Sequence, residues 1–380
     1  LSKINDFLKK KSQGPINFFH GKTTDVFKQL TSQYNIFEVY ANHDYEPYAK
    51  KRDQEIKNIL QVEGISFNTY KDQVIFEKDE VVKKDGKPYV VYTPYKNKWR
   101  EKFNPERDLK DYSIDNLFEN FYKNKYPVSL SLSDIGFEVS DIIIPKYQID
   151  EDLINSYFEK RDYPSLDATS HVGPYLRFGL ISIRSLMKKT YSNTGETFMN
   201  ELIWREFFMQ VMWHFPYSAT RSFRQKYDFI PWNNNPEDFE KWKNGQTGYP
   251  LVDAGMRELN KTGHMHNRVR MVVASFLCKH LLIDWRWGEA YFAEKLFDYE
   301  LSSNVGNWQW AAGSGVDAAP YFRVFNPETQ MKKFDKEGNY VRKWVPEYFG
   351  IGYVHPMIEH KFARERAIET YRNALNNFEI

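Results

Sequence analysis

Four stretches of the chain combine residue types that can do chemistry. Thr169-Ser170-His171-Val172-Gly173-Pro174 sets two hydroxyls and a glycine ahead of helix-forming sequence. Hydroxyls and backbone N–H groups near a helix N-terminus suit an anion such as phosphate, although the same string can serve as a turn or helix cap. In Asn200–Phe208, Glu201, Trp204 and Arg205 stand at i, i+3 and i+4 and share one helix face. That trio is either a surface ion pair with a packed indole or part of a polar site. Asn267, Arg270 and Met271 repeat the spacing, bringing an amide, a cation and a thioether to one face. Two such helices can line a polar cavity with aromatic walls. Asp298–Trp310 then packs acids, amides and two indoles into thirteen positions, too polar for a core helix and too aromatic for a plain loop. It reads as the wall of a binding site, with a solvated turn between helices as the alternative.

The elements that position these residues form two patterns. A chain of 380 residues exceeds what one core usually serves, and its 41% hydrophobic and 27% charged residues are those of an ordinary folded protein. The first hundred residues alternate strand-like runs at Ile16–Phe19 and Ile36–Tyr40 with helical patterns near Thr24–Gln33 and Tyr48–Gln61. This βαβα order predicts a Rossmann-like parallel sheet covered by helices. Because the chain opens at Leu1 in a helical pattern, the opening strand of that α/β domain is expected to be missing. Residues 101–150, with Pro105, Pro127 and Pro145, read as an interdomain connection. Residues 151–380 read as a large all-helical domain, with helices over Phe198–Trp213, Leu251–Leu259, Asn267–Leu282 and Trp287–Phe297. The expected fold class is therefore α/β plus all-α, divided at 1–100, 101–150 and 151–380.

Several function classes drop out. No apolar run reaches the roughly 18–20 residues a membrane span needs. The single cysteine, Cys278, permits no internal disulfide and sits in an apolar run, so it reads as a buried thiol in a reducing, cytoplasmic setting. Net charge is only +2, so DNA binding has to rest on local clusters. Nine of the ten tryptophans follow residue 200, which points to heavy use of indole in the second half.

Leu202-Ile203-Trp204-Arg205-Glu206-Phe207, His266-Asn267-Arg268-Val269-Arg270-Met271, Leu282-Ile283-Asp284-Trp285, Asn307-Trp308-Gln309-Trp310-Ala311-Ala312 and Asp317-Ala318-Ala319-Pro320-Tyr321-Phe322-Arg323 follow one another in the order of a known family. With them the chain resembles the photolyase/cryptochrome family, most of all class I photolyases of cyclobutane pyrimidine dimers, from about residue 15 to the C-terminus. The resemblance implies FAD, active in its reduced form, held in the helical domain by Tyr157, the Thr169, Ser170, His171, Val172, Gly173 loop, Phe198, Arg205, Arg270, Asp298, Tyr299 and Glu300. Asn304 would face the reactive ring nitrogen, and Arg270 would pair with Asp298. Glu201, Trp204, Arg205, Asn267, Met271 and Trp310 would line the cavity for a flipped-out dimer, with Arg161, Arg268 and Gln330 on the flanking backbone. Trp232, Trp285 and Trp308 match the family's electron relay. No metal is implied.

Two departures stand out: Gly173 and Glu300 replace a common Ser and Asp. Tyr45-Glu46-Pro47-Tyr48 lacks the Asn-Glu pair of folate-using relatives, so a folate antenna is not expected and the second chromophore is open. The resemblance thus implies a monomeric, light-driven repair enzyme acting on dimer-containing DNA. A cryptochrome-type photoreceptor is an alternative that Asn304 disfavours. A (6-4) photolyase is another, kept open by His264 and His266.

Overall fold

Glu38–Asn42, with half-buried and exposed residues in alternation, and Ser66–Tyr70, with three half-buried residues between exposed ends, form strands β1 and β2. They pair in parallel, Glu38 opposite Ser66 through Asn42 opposite Tyr70. A parallel pair needs a crossover, and the helix Pro47–Val62 supplies it, burying Ile56 and Leu60. This computed structural model describes residues 2–12, 14, 16–113, 115–123, 130–138, 140–191 and 195–376. They gather into two compact units: Leu1–Asp44, Tyr48–Asp72 and Pro105–Asp141 in one, Tyr45–Pro47, Gln73–Asn104 and Ile142–Ile380 in the other.

In the first unit the helix Thr23–Gln33 lies where its apolar spacing put it. The expected strand at Ile16–Phe19 is not one. These residues take no regular element, and the Ile16 N–H donates to the Asn5 side chain at 2.7 Å instead of to a strand. β2, with the sequence Ser66-Phe67-Asn68-Thr69-Tyr70, forms in a stretch that carried no strand expectation. Beyond Pro105 the chain is built from a four-residue helix, Pro105–Asp108, and short 3-10 turns. Phe118 of one such turn meets Phe7 edge-on at 6.0 Å, anchoring it to the helix Ser2–Ser12. Pro127 lies outside the described residues.

The second unit is helical. Its central helix, Glu196–His214, is apolar on every side except a few positions, as a helix surrounded by others must be. One of those exceptions, Glu206, is a buried carboxylate that accepts from the Ile75 N–H (2.8 Å), the Phe76 N–H (3.1 Å), the Tyr95 hydroxyl (3.2 Å) and the Trp99 indole. Burial raises its pKa to about 7 against these donors. The helix Tyr92–Lys102 is held in place this way, with Trp99 and Tyr95 fully buried.

Pro250–Thr262, Asn267–Ser275, Trp285–Lys295 and Leu301–Ala312 complete the surroundings of the site. The run expected as one helix from Asn267 to Leu282 changes at Phe276 to a π-helical turn that ends at His280. That widening brings Lys279 inside, where its ammonium donates to the Ala312 carbonyl (2.8 Å) and the Tyr321 carbonyl (3.3 Å) and lies 3.7 Å from the Tyr371 ring centroid. Burial lowers the Lys279 pKa to about 7. Gly288 faces Trp308 so closely that a β-carbon there would lie 2.1 Å from the indole, so only glycine lets these two helices approach. Among the described residues no helix is long and apolar enough to cross a membrane.

Candidate functional site

The helix Leu301–Ala312 separates two adjoining cavities in the second unit. The first, about 100 Å³, is lined by Arg270, Asp298, Tyr299, Glu300, Asn304 and Trp308, among others. The second, about 300 Å³, is lined by Arg161, Glu201, Trp204, Arg205, Phe208, Asn267, Met271, Ser303, Asn307 and Trp310. Asn267, Met271, Ser303, Asn307 and Trp310 belong to both walls. The i, i+3, i+4 faces read from the sequence thus converge on a common cleft.

Charge and hydrogen bonding are arranged tightly around the first cavity. Arg270 forks onto Asp298, its Nη2 donating at 2.9 and 3.2 Å, while its Nε donates to the Met265 carbonyl at 2.6 Å. Glu300 is used at the backbone: its carboxylate caps the helix Leu301–Ala312 by accepting from the N–H groups of Ser302 and Ser303, both at 2.9 Å. The amide nitrogen of Asn304 donates to the Glu289 carbonyl (3.1 Å) and carboxylate (2.9 Å). Tied on that side, Asn304 keeps its oxygen as the acceptor. Burial raises the Glu289 pKa, opposed by the bond from Asn304.

The Thr169–Gly173 loop lines neither cavity, but its last residue packs against Asp298 in the wall of the first. A β-carbon on Gly173 would stand 3.1 Å from the β-carbon of Asp298, so the glycine permits a close approach that a serine would crowd. His171 adopts a left-handed backbone, φ 50°, and its Nε2 bonds Asp167 at 2.8 Å. Its Nδ1 is buried without a partner, as is the Ser302 hydroxyl. Arg205 donates to the Gln73 carbonyl at 2.7 Å, with burial lowering its pKa and Glu300 raising it.

Around the second cavity, Arg161 donates to Glu201 and also stands 4.0 Å from Asp162. Tyr157 lies on this side, under the Arg161 guanidinium at 5.5 Å and edge-on to buried Phe198 at 5.0 Å. Arg268 pairs with Asp162 at 2.7 Å and covers the Phe334 ring at 4.3 Å. Gln330 sits one turn before Phe334 on the helix Pro327–Phe334 and lines neither cavity. Neither cavity has a histidine in its wall. His264 stacks on Phe297 at 5.7 Å, and His266 caps the helix Asn267–Ser275.

Of the three tryptophans expected to form a relay, Trp308 and Trp285 belong to one buried cluster and half-buried Trp232 packs against it. Trp308 meets Phe292 at 5.0 Å and Trp242 at 6.2 Å. Trp242 is fully buried although Glu240, Lys241 and Lys243 stand beside it in the chain, so nothing in its local sequence marks it as a core residue. Tyr92 was missed too. It stacks flat on Trp204, centroids 3.6 Å apart and planes 9° apart, though the two residues lie far apart in sequence.

This fold and this pair of cavities can be set beside known proteins. The FAD binding domain of DNA photolyase matches residues 198–352, and the DNA photolyase domain matches residues 1–111. The deoxyribodipyrimidine photo-lyase of Alkalihalophilus pseudofirmus is 40% identical over 360 residues, spanning 89% of this chain and 74% of the relative. A bacterial class III photolyase from Agrobacterium tumefaciens superposes with a TM-score of 0.88 at 33% identity, over 98% of this chain and 86% of that one. An archaeal photolyase from Sulfolobus tokodaii, solved with two FAD molecules, does so at 0.78 and 31%, with the same coverage. The chain belongs to the DNA photolyase family.

The residues present fit FAD. A dinucleotide needs donors for its pyrophosphate and an acceptor for the N–H of its reduced ring. The hydroxyl-bearing loop offers donors of the first kind, and Asn304 offers an acceptor of the second. The unpartnered His171 Nδ1 and Ser302 hydroxyl are further polar atoms without a protein partner.

Proposed function

We propose that this chain is a deoxyribodipyrimidine photo-lyase that splits cyclobutane pyrimidine dimers in DNA. The observation that carries the reading is the shared wall: a cavity suited to a flavin ring adjoins one with two indoles, an amide, a thioether and a carboxylate. When bound, reduced FAD would supply light-driven electron donation to the dimer, a chemistry that leaves no net redox change.

Every other part belongs to the protein. Arg270 sets positive charge beside the anionic ring and is itself aimed by Asp298. The Asn304 oxygen accepts from the ring N–H, and because an amide does not ionise, it holds that proton without competing for it. Trp204 and Trp310 offer apolar faces to the extruded pyrimidines, and Asn267 and Glu201 bond to base edges. Arg161 links lesion and backbone. It holds the Glu201 carboxylate in the free protein, and a flanking phosphate that draws its guanidinium away leaves that carboxylate to the dimer. Arg268 and Gln330 are read as contacts to the flanking strand. Trp232, Trp285 and Trp308 carry charge between the surface and the flavin.

Within the family we keep the class I reading of the motifs, alongside the resemblance to a class III structure. A monomer acting in the cytoplasm is part of the same reading. The absence of a histidine from either cavity wall weighs against (6-4) chemistry, which needs a proton donor at the lesion. Blue light on the FAD-loaded protein with dimer-containing DNA tests the proposal. Dimers are lost in the light and kept in the dark, and Glu201→Ala lowers repair per absorbed photon. Equal dimer loss in light and dark would end it.

A further inference from the structure

Trp204 is held from behind. Tyr92 covers one face of the indole, at 3.6 Å and 9°, while Phe207 and Phe208 meet it at 5.6 and 5.5 Å. The Tyr92 hydroxyl donates to the Asn200 carbonyl at 2.9 Å, one turn before Trp204 on the same helix. Tyr92 thus grips both the ring and the backbone that carries it. Its own position is fixed at the other end. The helix Tyr92–Lys102 has no side-chain cap from Val91, and its first N–H is taken by the Asp317 carboxylate at 3.2 Å. Asp317 holds a left-handed backbone, φ 45°, a conformation that aspartate adopts only at some cost. It follows Trp310, the other indole of the second cavity, by seven residues in the chain.

We propose that Tyr92 is a positioning residue for lesion recognition: it fixes the plane of Trp204, and Asp317 fixes Tyr92 in turn. The inference rests on reading the second cavity as the seat of the dimer. An indole free to rotate loses part of its stacking each time it turns, whereas one clamped on its rear face meets the pyrimidines already aligned. Stacking of this kind is worth about 0.5–1.5 kcal/mol, so its loss is expected as roughly a 2- to 12-fold drop in preference for the lesion.

The test uses FAD-loaded protein in the dark, titrated with a dimer-containing oligonucleotide and its undamaged twin. Tyr92→Leu lowers the preference for the dimer by about 3- to 10-fold, with affinity for undamaged DNA and the rate of flavin photoreduction unchanged. Tyr92→Phe keeps the ring and stays within about twofold of the parent. If the leucine variant fails to load FAD, Tyr92→Met carries the same measurement. Trp204→Ala is the control. Loss of preference in Trp204→Ala but not in Tyr92→Leu or Tyr92→Met overturns the positioning role, and so does a phenylalanine variant as poor as leucine. Retention in all of them, Trp204→Ala included, sinks instead the assignment of the second cavity to the lesion.

Discussion

Replacing Gly288 by alanine sets two effects of known size against each other. Gly288 is buried mid-helix within Trp285–Lys295 and is absent from the positive-φ residues, so alanine fits its backbone. Helix propensity alone would then stabilise the protein by about 0.8–1.0 kcal/mol. Packing opposes this. The added methyl would lie 2.1 and 2.4 Å from two atoms of the Trp308 ring and 2.6 Å from the Leu277 side chain. Trp308 is 2% exposed and wedged by Phe292 and Trp242, so it has nowhere to retreat. Overpacking a core costs about 1–3 kcal/mol and sometimes more, and three contacts this short belong at the upper end. A net loss of about 2 kcal/mol is expected, read as a lower urea midpoint by tryptophan fluorescence. The same ring lines the first cavity and is part of the proposed relay, so photoreduction of oxidised flavin is expected to slow as well. A variant as stable as the parent, or more so, refutes the packing argument.

Arg270→Met leaves the Asp298 carboxylate unpaired in the first cavity, and FAD retention on dialysis is expected to weaken by roughly tenfold, or about 1.4 kcal/mol. Trp308→Phe slows light-driven reduction of oxidised flavin but leaves repair by pre-reduced protein in place. An equal loss of both would remove the relay assignment. Burial lowers the His280 pKa to about 3, against an ordinary value of 6.5. The unfolded chain therefore binds the proton first, and stability falls as pH drops below about 6.5, by roughly 2 kcal/mol from this group at pH 5. His280→Gln flattens that part of the urea-midpoint profile, and an unchanged slope counts against the assignment.

The sequence revealed what periodicity can carry. Glu201 with Trp204 and Arg205, and Asn267 with Arg270 and Met271, were placed on shared faces by helix geometry alone, and the structure turns both faces to one cleft. The α/β order of the first hundred residues announced a parallel sheet, but of its two strands only β1 overlaps an expected one, and its partner β2 had no local signal. What stayed hidden depends on distant partners. Tyr92 and Trp204 stack across more than a hundred residues, and no local pattern marks a tyrosine as the rear support of an indole. Glu206 follows Arg205 with no local sign of its role, yet it is the buried anchor for four donors brought by other segments. Glu300 carries an acid where a ligand contact was expected, and its carboxylate caps a helix. Ile16–Phe19 has the composition of a strand but pairs its backbone with a side chain.

Fluorescence of the reduced flavin, timed with a dimer bound and with undamaged DNA bound, tests the shared wall of the two cavities most directly. If the lesion sits against the cofactor, electron transfer shortens the excited-state lifetime with the dimer alone. Identical lifetimes with the two DNAs would contradict the account.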